Sequence, residues 1–172
     1  ILTQGKINIT GTINGAPTDT LALHADAPGT TLGDGLSQSA PISVGNLLLL
    51  GKGSMNLGTQ PNAISNIAAD MSDGSLKLKN NVHMKVAVVE DRTVNPAKNI
   101  DGLKTKSTDI QMAAGQKLTV EGKLNSTDDT KIEADDLDLG NNKVNVGKKL
   151  TLEKATKSQT IDIGTGTGDW NI

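Results

Sequence analysis

The segment KVNVGKKLTLEKATKSQTIDIG, residues 143–164, writes one short motif three times. Val144 and Val146, Leu150 and Leu152, and Ile161 and Ile163 each alternate with polar residues, and Gly, Lys or Ser bounds each pair. Alternation with period two puts both apolar side chains on one face of a short extended strand. The same unit fills the rest of the chain, as in Ile7/Ile9, Leu21/Leu23, Met55/Leu57, Leu76/Leu78, Met84/Val86 and Leu118/Val120. The longest apolar run is Leu47-Leu48-Leu49-Leu50, far short of the roughly 20 residues of a membrane-spanning helix. Helical periodicity outcompetes the alternation nowhere; the nearest helix candidate is PNAISNIAADM, residues 61–71.

Spacing decides what such stutters build. Ile110, Ile132 and Leu150 fall about twenty residues apart, as do Leu118 and Leu137, and Leu124 and Val144. Three short strands per twenty-residue repeat describe one coil of a parallel β-helix, in which each strand stacks on its equivalent about 4.8 Å away. A long apolar run would leave the core at the next corner, whereas a two-residue stutter fills one face before the chain turns. Composition agrees with a narrow aliphatic core. Hydrophobic residues are 35% of the 172, Trp170 is the sole aromatic, and 19 glycines supply turns. The expectation is an all-β single repeat segment over 1–172, with Trp170 facing inward beside Ile172. A β-sandwich with unusual turns is the alternative.

Charge excludes several functions. The net charge is −2 with both signs interspersed, which leaves no footprint for nucleic acid. Arg92 is the only arginine, so no arginine cluster exists to grip phosphate or carboxylate. The absence of cysteine removes disulfides and thiolate metal sites. Asp128-Asp129 and Asp135-Asp136 are carboxylate pairs, but strand neighbours point to opposite sides and cannot share one site. His24 and His83 sit at polar positions and read as surface histidines. GTGTGDWNI, residues 164–172, lacks the spacing of a calcium-binding nonapeptide, since Gly168 is adjacent to Asp169. No catalytic residue, cofactor or metal is expected. With no leader visible at Ile1, the chain reads as a mature form or an excised segment.

Two stretches break the rhythm. Residues 24–41 carry Pro28 and Pro41, and residues 89–109 carry Arg92, Pro96 and dense mixed charge. Insertions in repeat folds become loops on one side, often the binding side. The second stretch is the candidate partner-contact loop, with Glu90, Asp91, Arg92, Lys98 and Asn99 as the contact residues. Its ends, Val88 and Ile110, are expected on consecutive coils, and replacing 90–98 by a short linker is expected to leave folding intact.

GKINITGTING (5–15), the long stretch 40–81 and KSQTIDIGTGTGDWNI (157–172) resemble the repeats of two-partner-secretion exoproteins, the filamentous-haemagglutinin-like adhesins. The resemblance implies a right-handed parallel β-helix, exported unfolded through an outer-membrane pore to the surface of Gram-negative bacteria. It implies a rigid stalk that presents loops, with a host-cell or neighbouring-cell surface ligand as partner. Self-association, end to end or side by side, is a second partner expectation. No match to the family's secretion-domain signature is present, so the chain would be a repeat segment. A bactofilin-like filament-forming β-helix is the alternative function, and a β-helical polysaccharide lyase or hydrolase the second alternative.

Overall fold

The computed structural model describes residues 1–26, 32–71, 73–140 and 144–157, with only the backbone of 170 and 171. No helix occurs among the described residues. The strands are β1 (Leu2–Thr3), β2 (Ile7–Ile9), β3 (Ile13–Asn14), β4 (Thr20–Ala25), β5 (Leu36–Gln38), β6 (Ile42–Gly51), β7 (Met55–Met71), β8 (Leu76–Asn80), β9 (Met84–Val86) and β10 (Val88–Asp91). The chain continues through β11 (Lys98–Asp101), β12 (Leu103–Thr105), β13 (Thr108–Met112), β14 (Lys117–Val120), β15 (Leu124–Ser126) and β16 (Thr130–Glu133). It ends with β17 (Asp136–Asp138), β18 (Val144–Val146), β19 (Leu150–Glu153) and β20 (Trp170–Asn171). Among the described residues eighteen strands form one sheet system, and only β10 and β11 stand apart as a two-stranded sheet.

The large sheet pairs in parallel, in regular steps. Leu36 pairs with Met55 and Met55 with Leu76. Thr108 pairs with Thr130, and Thr130 with Leu150. Each step carries the chain nineteen to twenty-two residues forward. Two steps in this series are longer, Ile7 to Leu36 and Leu76 to Thr108, and they contain most of the two stretches that break the sequence rhythm. Parallel strands need a crossover of a dozen or more residues, usually helical; here the crossovers are themselves strands of the same sheet system.

Alternation now has a structural meaning. Leu57, Leu78, Ile110, Ile132 and Leu152 pair in succession and form one aliphatic column. Leu23, Leu49, Ala69, Leu103, Leu124 and Val144 form another. Both belong to a single core cluster, against which Val144, Val146 and Leu152 are only partly buried. The expected Ile110, Ile132, Leu150 series slips by two at its last member: Thr130 is the residue opposite Leu150, and Leu152 opposes Ile132. Leu150 is 38% exposed. Ile161 and Ile163 lie outside the described residues. Trp170 pairs with Leu137 through its backbone, and its expected inward side chain lies outside them as well.

Three expectations change. Residues 61–71 are not helical but the second half of β7, paired to β6, β9 and β12. Strand neighbours on both sides and burial of Ile64, Ile67, Ala69 and Met71 override a weak local pattern. The stretch 24–41 begins in strand and returns to it before its end, since His24 and Ala25 close β4 and Leu36–Gln38 are β5; residues 27–31 lie outside the described residues. The stretch 89–109 is not one loop. Residues 88–101 form an antiparallel hairpin, and β12 and β13 have already rejoined the sheet by residue 109. The ends of the excursion are therefore Ala87 and Gly102, bonded to each other from Gly102 N–H to Ala87 C=O at 3.1 Å, and not Val88 and Ile110. Gly102 holds φ at +74°, and a Cβ there would lie 1.9 Å from the Lys123 carbonyl oxygen, so only glycine closes this junction.

Candidate functional site: the β10–β11 hairpin

Val88, Val89, Glu90 and Asp91 face Asp101, Ile100, Asn99 and Lys98 across the hairpin. Strand alternation gives it two faces. Val89 and Ile100 point down and pack with Leu48, Leu50 and Ala68, with Ala22 at the margin, in a cluster separate from the main core. Leu47, Leu49 and Ala69 belong to the main core. The hairpin thus lies on the outer wall of the sheet and covers side chains that would otherwise face solvent. This explains the Leu47–Leu50 run. Two leucines fill the interior, and the two between and after them fill the interface under the hairpin.

The five candidate contact residues all fall on this ribbon. Glu90 sits opposite Asn99, and Asp91 opposite Lys98. Arg92 follows β10, and its Nε donates to Glu90 Oε2 at 2.5 Å. Glu90, Arg92, Lys98 and Asn99 are exposed. Asp91 differs: it is 4% exposed, and its Oδ1 accepts the Thr93 N–H at 2.9 Å and the Thr93 hydroxyl at 2.6 Å. That carboxylate fixes the turn and presents nothing outward. Pro96 follows a cis peptide bond from Asn95.

A cleft of about 320 Å³ opens between the hairpin and the wall, lined by Thr18, Asp19, Thr20 and Ala22 on one side and Glu90, Arg92 and Thr93 on the other. Alternation alone could not reveal this cleft, because a hairpin strand and a sheet strand carry the same pattern. The signals that could have found the covered wall were the four consecutive leucines and the Ala68-Ala69 pair.

Of the other polar groups singled out in the sequence, Asp128, Asp135, Asp136, His24 and His83 have partners. Asp128 meets Lys148 Nζ at 2.8 Å, and that hydrogen bond holds its carboxyl below the ordinary range. Asp135 accepts Gly115 N–H and Thr156 N–H at 2.6 Å each, whereas Asp136 faces Lys117 at 3.6 Å. The two neighbours thus serve different partners, Asp135 at the bend before β17 and Asp136 in its first position. His24 Nε2 is 3.2 Å from Asp26, and His83 Nδ1 accepts the Lys117 N–H at 2.9 Å. No group of three or more metal-ligating side chains occurs among the described residues. Asp169 lies outside them. A second depression of about 390 Å³ lies on the regular wall across Asn66, His83, Lys85 and Lys117. Both lysines there are ion-paired, Lys85 to Glu121 at 2.6 Å and Lys117 to Asp136 and Asp138. No helix among the described residues is long and apolar enough to cross a membrane.

Comparison with family models, curated proteins and solved structures returns no match to this chain.

Proposed function

We propose that the chain is a segment of a right-handed parallel β-helix with about three strands per coil, serving as a rigid stalk in a large secreted or cell-surface bacterial exoprotein of the filamentous-haemagglutinin-like kind. The observation that carries this reading is a regular wall interrupted by one anchored hairpin. Parallel pairs step by about twenty residues, and the single antiparallel pair among the described residues is clamped onto the outside. Right-handedness follows from the strong preference of parallel crossovers for that hand. A stack of this kind offers a monotonous surface, and the hairpin is the departure from it that a partner can recognise. A bactofilin-like filament fits less well, since a projecting ribbon interrupts the wall that lateral packing would use. A polysaccharide lyase fits less well because Asp128, Asp135 and Asp136 already have partners.

The test is location and adherence. Antibodies against the hairpin should label intact, unpermeabilised cells or recover the parent protein from the medium. Loss of the parent protein should lower attachment to host or sister cells. Labelling only after permeabilisation would sink the adhesin reading and favour the filament.

A further inference from the structure

We infer that the depression across Asn66, His83, Lys85 and Lys117 is a binding site for an uncharged, planar aromatic amide. None of its lining residues belongs to the hairpin, so the inference stands apart from the hairpin's proposed role. The depression originates in a slip of the alternation within an otherwise regular wall. Val44 and Leu47, and then Ile64 and Ile67, enter the core with two residues between them. Met84 and Val86, Leu118 and Val120, and Leu137 and Leu139 enter it with one. Where the longer spacing meets the shorter, β7 pairs with β9 at Asn66 and Ile67, and the ladder skips Ser65 on that side and on the β6 side as well. The depression lies at this mismatch, with Ser65 and Asn66 on one flank and His83, Met84 and Lys85 on the other. Its size, about 390 Å³, falls within the range of small-molecule sites.

The lining selects the ligand. Lys85 Nζ is held by Glu121 at 2.6 Å, and Lys117 Nζ by Asp136 at 3.6 Å and Asp138 at 3.5 Å. Carboxylates thus answer both ammonium groups, which removes the pull on an anion, while the ammonium groups themselves repel a cation. Held by their heads, the two lysines lay methylene stems along the depression. An ammonium beside an aromatic ring is also attracted to the negative face of that ring. An aromatic ring uses both contacts, whereas a saturated ring of the same size uses only the stems. Two further groups orient the ring. His83 Nδ1 accepts the Lys117 N–H at 2.9 Å, so the neutral imidazole carries its proton on Nε2, which is left to donate. Asn66 Nδ2 donates to Asn46 Oδ1 at 2.9 Å, which leaves Asn66 Oδ1 to accept. A carboxamide on the ring answers both, its oxygen toward His83 and its amino group toward Asn66. These bonds fix His83 and Asn66 before any ligand arrives, and preorganisation lowers the ordering cost of binding.

The experiment is a titration of the isotope-labelled chain, followed by amide shifts, with benzamide, nicotinamide and pyrazinamide. Cyclohexanecarboxamide, benzoate and benzylammonium serve as saturated, anionic and cationic comparators. At least one aromatic amide should give saturable shifts confined to Ser65–Asn66, His83–Lys85 and Lys117–Thr119. Cyclohexanecarboxamide should bind about fivefold more weakly, since it forgoes the attraction of two ammonium groups. Lys85→Ala removes stem and charge together and should weaken the aromatic amide about tenfold. Lys85→Met keeps the stem, tests the charge alone and should weaken it about threefold. His83→Ala, at an exposed position, should weaken it about fivefold through the lost hydrogen bond. Lys131→Ala, outside the lining, should leave it unchanged. In each variant, unshifted amides away from the depression report an intact fold. No saturable shift with any aromatic amide would overturn the inference. So would cyclohexanecarboxamide binding as tightly as benzamide, a preference for benzoate or benzylammonium, or equal affinity in the parent chain and the Lys85 and His83 variants.

Discussion

Asn62 and Asn80 tie neighbouring strands together through their side-chain amides. Both are fully buried. Asn62 Oδ1 accepts the Ile42 N–H at 2.9 Å and the Gln38 side-chain amide at 2.9 Å, while Nδ2 donates to the carbonyls of Leu57 and Lys79. Asn80 Oδ1 accepts the Ile64 N–H at 2.9 Å, and Nδ2 donates to the carbonyls of Ile64 and Val82. At a corner the strands part and backbone groups lose their ladder partners, and these side-chain amides replace them. Thr105 with Thr108, at 2.7 Å, and Ser126 with Thr130, at 2.6 Å, are buried hydroxyl pairs farther along the chain, each side chain satisfying the other. Each orphaned buried group costs about 1–3 kcal/mol. Asn62→Ala should therefore lower stability by more than about 2 kcal/mol in urea unfolding, whereas Asn56→Ala, at a half-buried outward position, should cost under about 1 kcal/mol. Equal losses would show that the amide does not replace the ladder. Asp135 makes the matching prediction for pH. Its burial opposes the charged form, but hydrogen bonds from Thr156 and Gly115, with the charge of Lys154, outweigh that and hold its pKa below the ordinary 3.8. The unfolded chain then takes up the proton first as pH falls. The contribution is complete above about pH 5 and is lost as pH drops through 3.8 toward the lower folded value. A melting-temperature series from pH 7 to 2.5 should fall less steeply at the acid end in Asp135→Asn than in the parent chain. Parallel curves would remove Asp135 from the acid response.

At the scale of elements, the hairpin is a removable cover. Ala87 and Gly102 are already hydrogen-bonded, so excising 88–101 and closing the gap with a short linker leaves β9 and β12 in place at small loop-closure cost. Replacement of 90–98 by a short linker is expected to leave folding intact, and removing the whole hairpin has a further consequence because of what it covers. Leu48 is fully buried and Leu50 is 7% exposed, and the excision opens both, with Ala68, to water. The excised chain should keep its β-type circular dichroism, bind a hydrophobic dye and self-associate on size exclusion. Adding Leu48→Thr and Leu50→Thr should return it to a monomer. Loss of the β signal would make the hairpin a requirement for folding, and a monodisperse excised chain would mean that the cover is dispensable. The hairpin also marks the limit of what the residues disclose by themselves. Strand positions and most stacking partners follow from two-residue alternation and twenty-residue spacing, so Leu118 with Leu137 and Leu124 with Val144 are legible directly. The antiparallel turn is not, since β10 and β11 carry the same alternation as wall strands and differ only in which partner they find. The cleft is less legible still, because Thr18–Ala22 and Glu90–Thr93 meet only through that packing.

At the scale of the molecule, one core cluster runs from Ile7 to Leu139, and the strands of the large sheet pair in sequential series, as β8 with β13, β13 with β16 and β16 with β19. Stability in such a stack is close to a sum of nearest-neighbour interfaces, so a break in the middle divides it. Leu118 is a suitable place to break. It is fully buried and stacks between Met84 and Leu137, while its neighbour Thr119 points outward between Lys85 and Asp138. An aspartate at 118 would bury an unpaired charge in an aliphatic column, at a cost of several kcal/mol. An aspartate at 119 would sit on the wall beside one cation and one anion, and should cost under about 1 kcal/mol. The two sides of the break are unequal. Before it lie the long strands β6 and β7, buried throughout much of their length; after it the column ends in the partly buried Val144 and Leu152 and the exposed Leu150. Leu118→Asp should therefore split a single calorimetric transition into two, with amides of β16–β19 exchanging at the lower temperature and those of β6 and β7 protected until the higher one. Thr119→Asp should melt in one step near the parent temperature. A single lowered transition in Leu118→Asp would mean that the stack unfolds as one unit, and equal effects at 118 and 119 would mean that the inward and outward phases have been assigned wrongly.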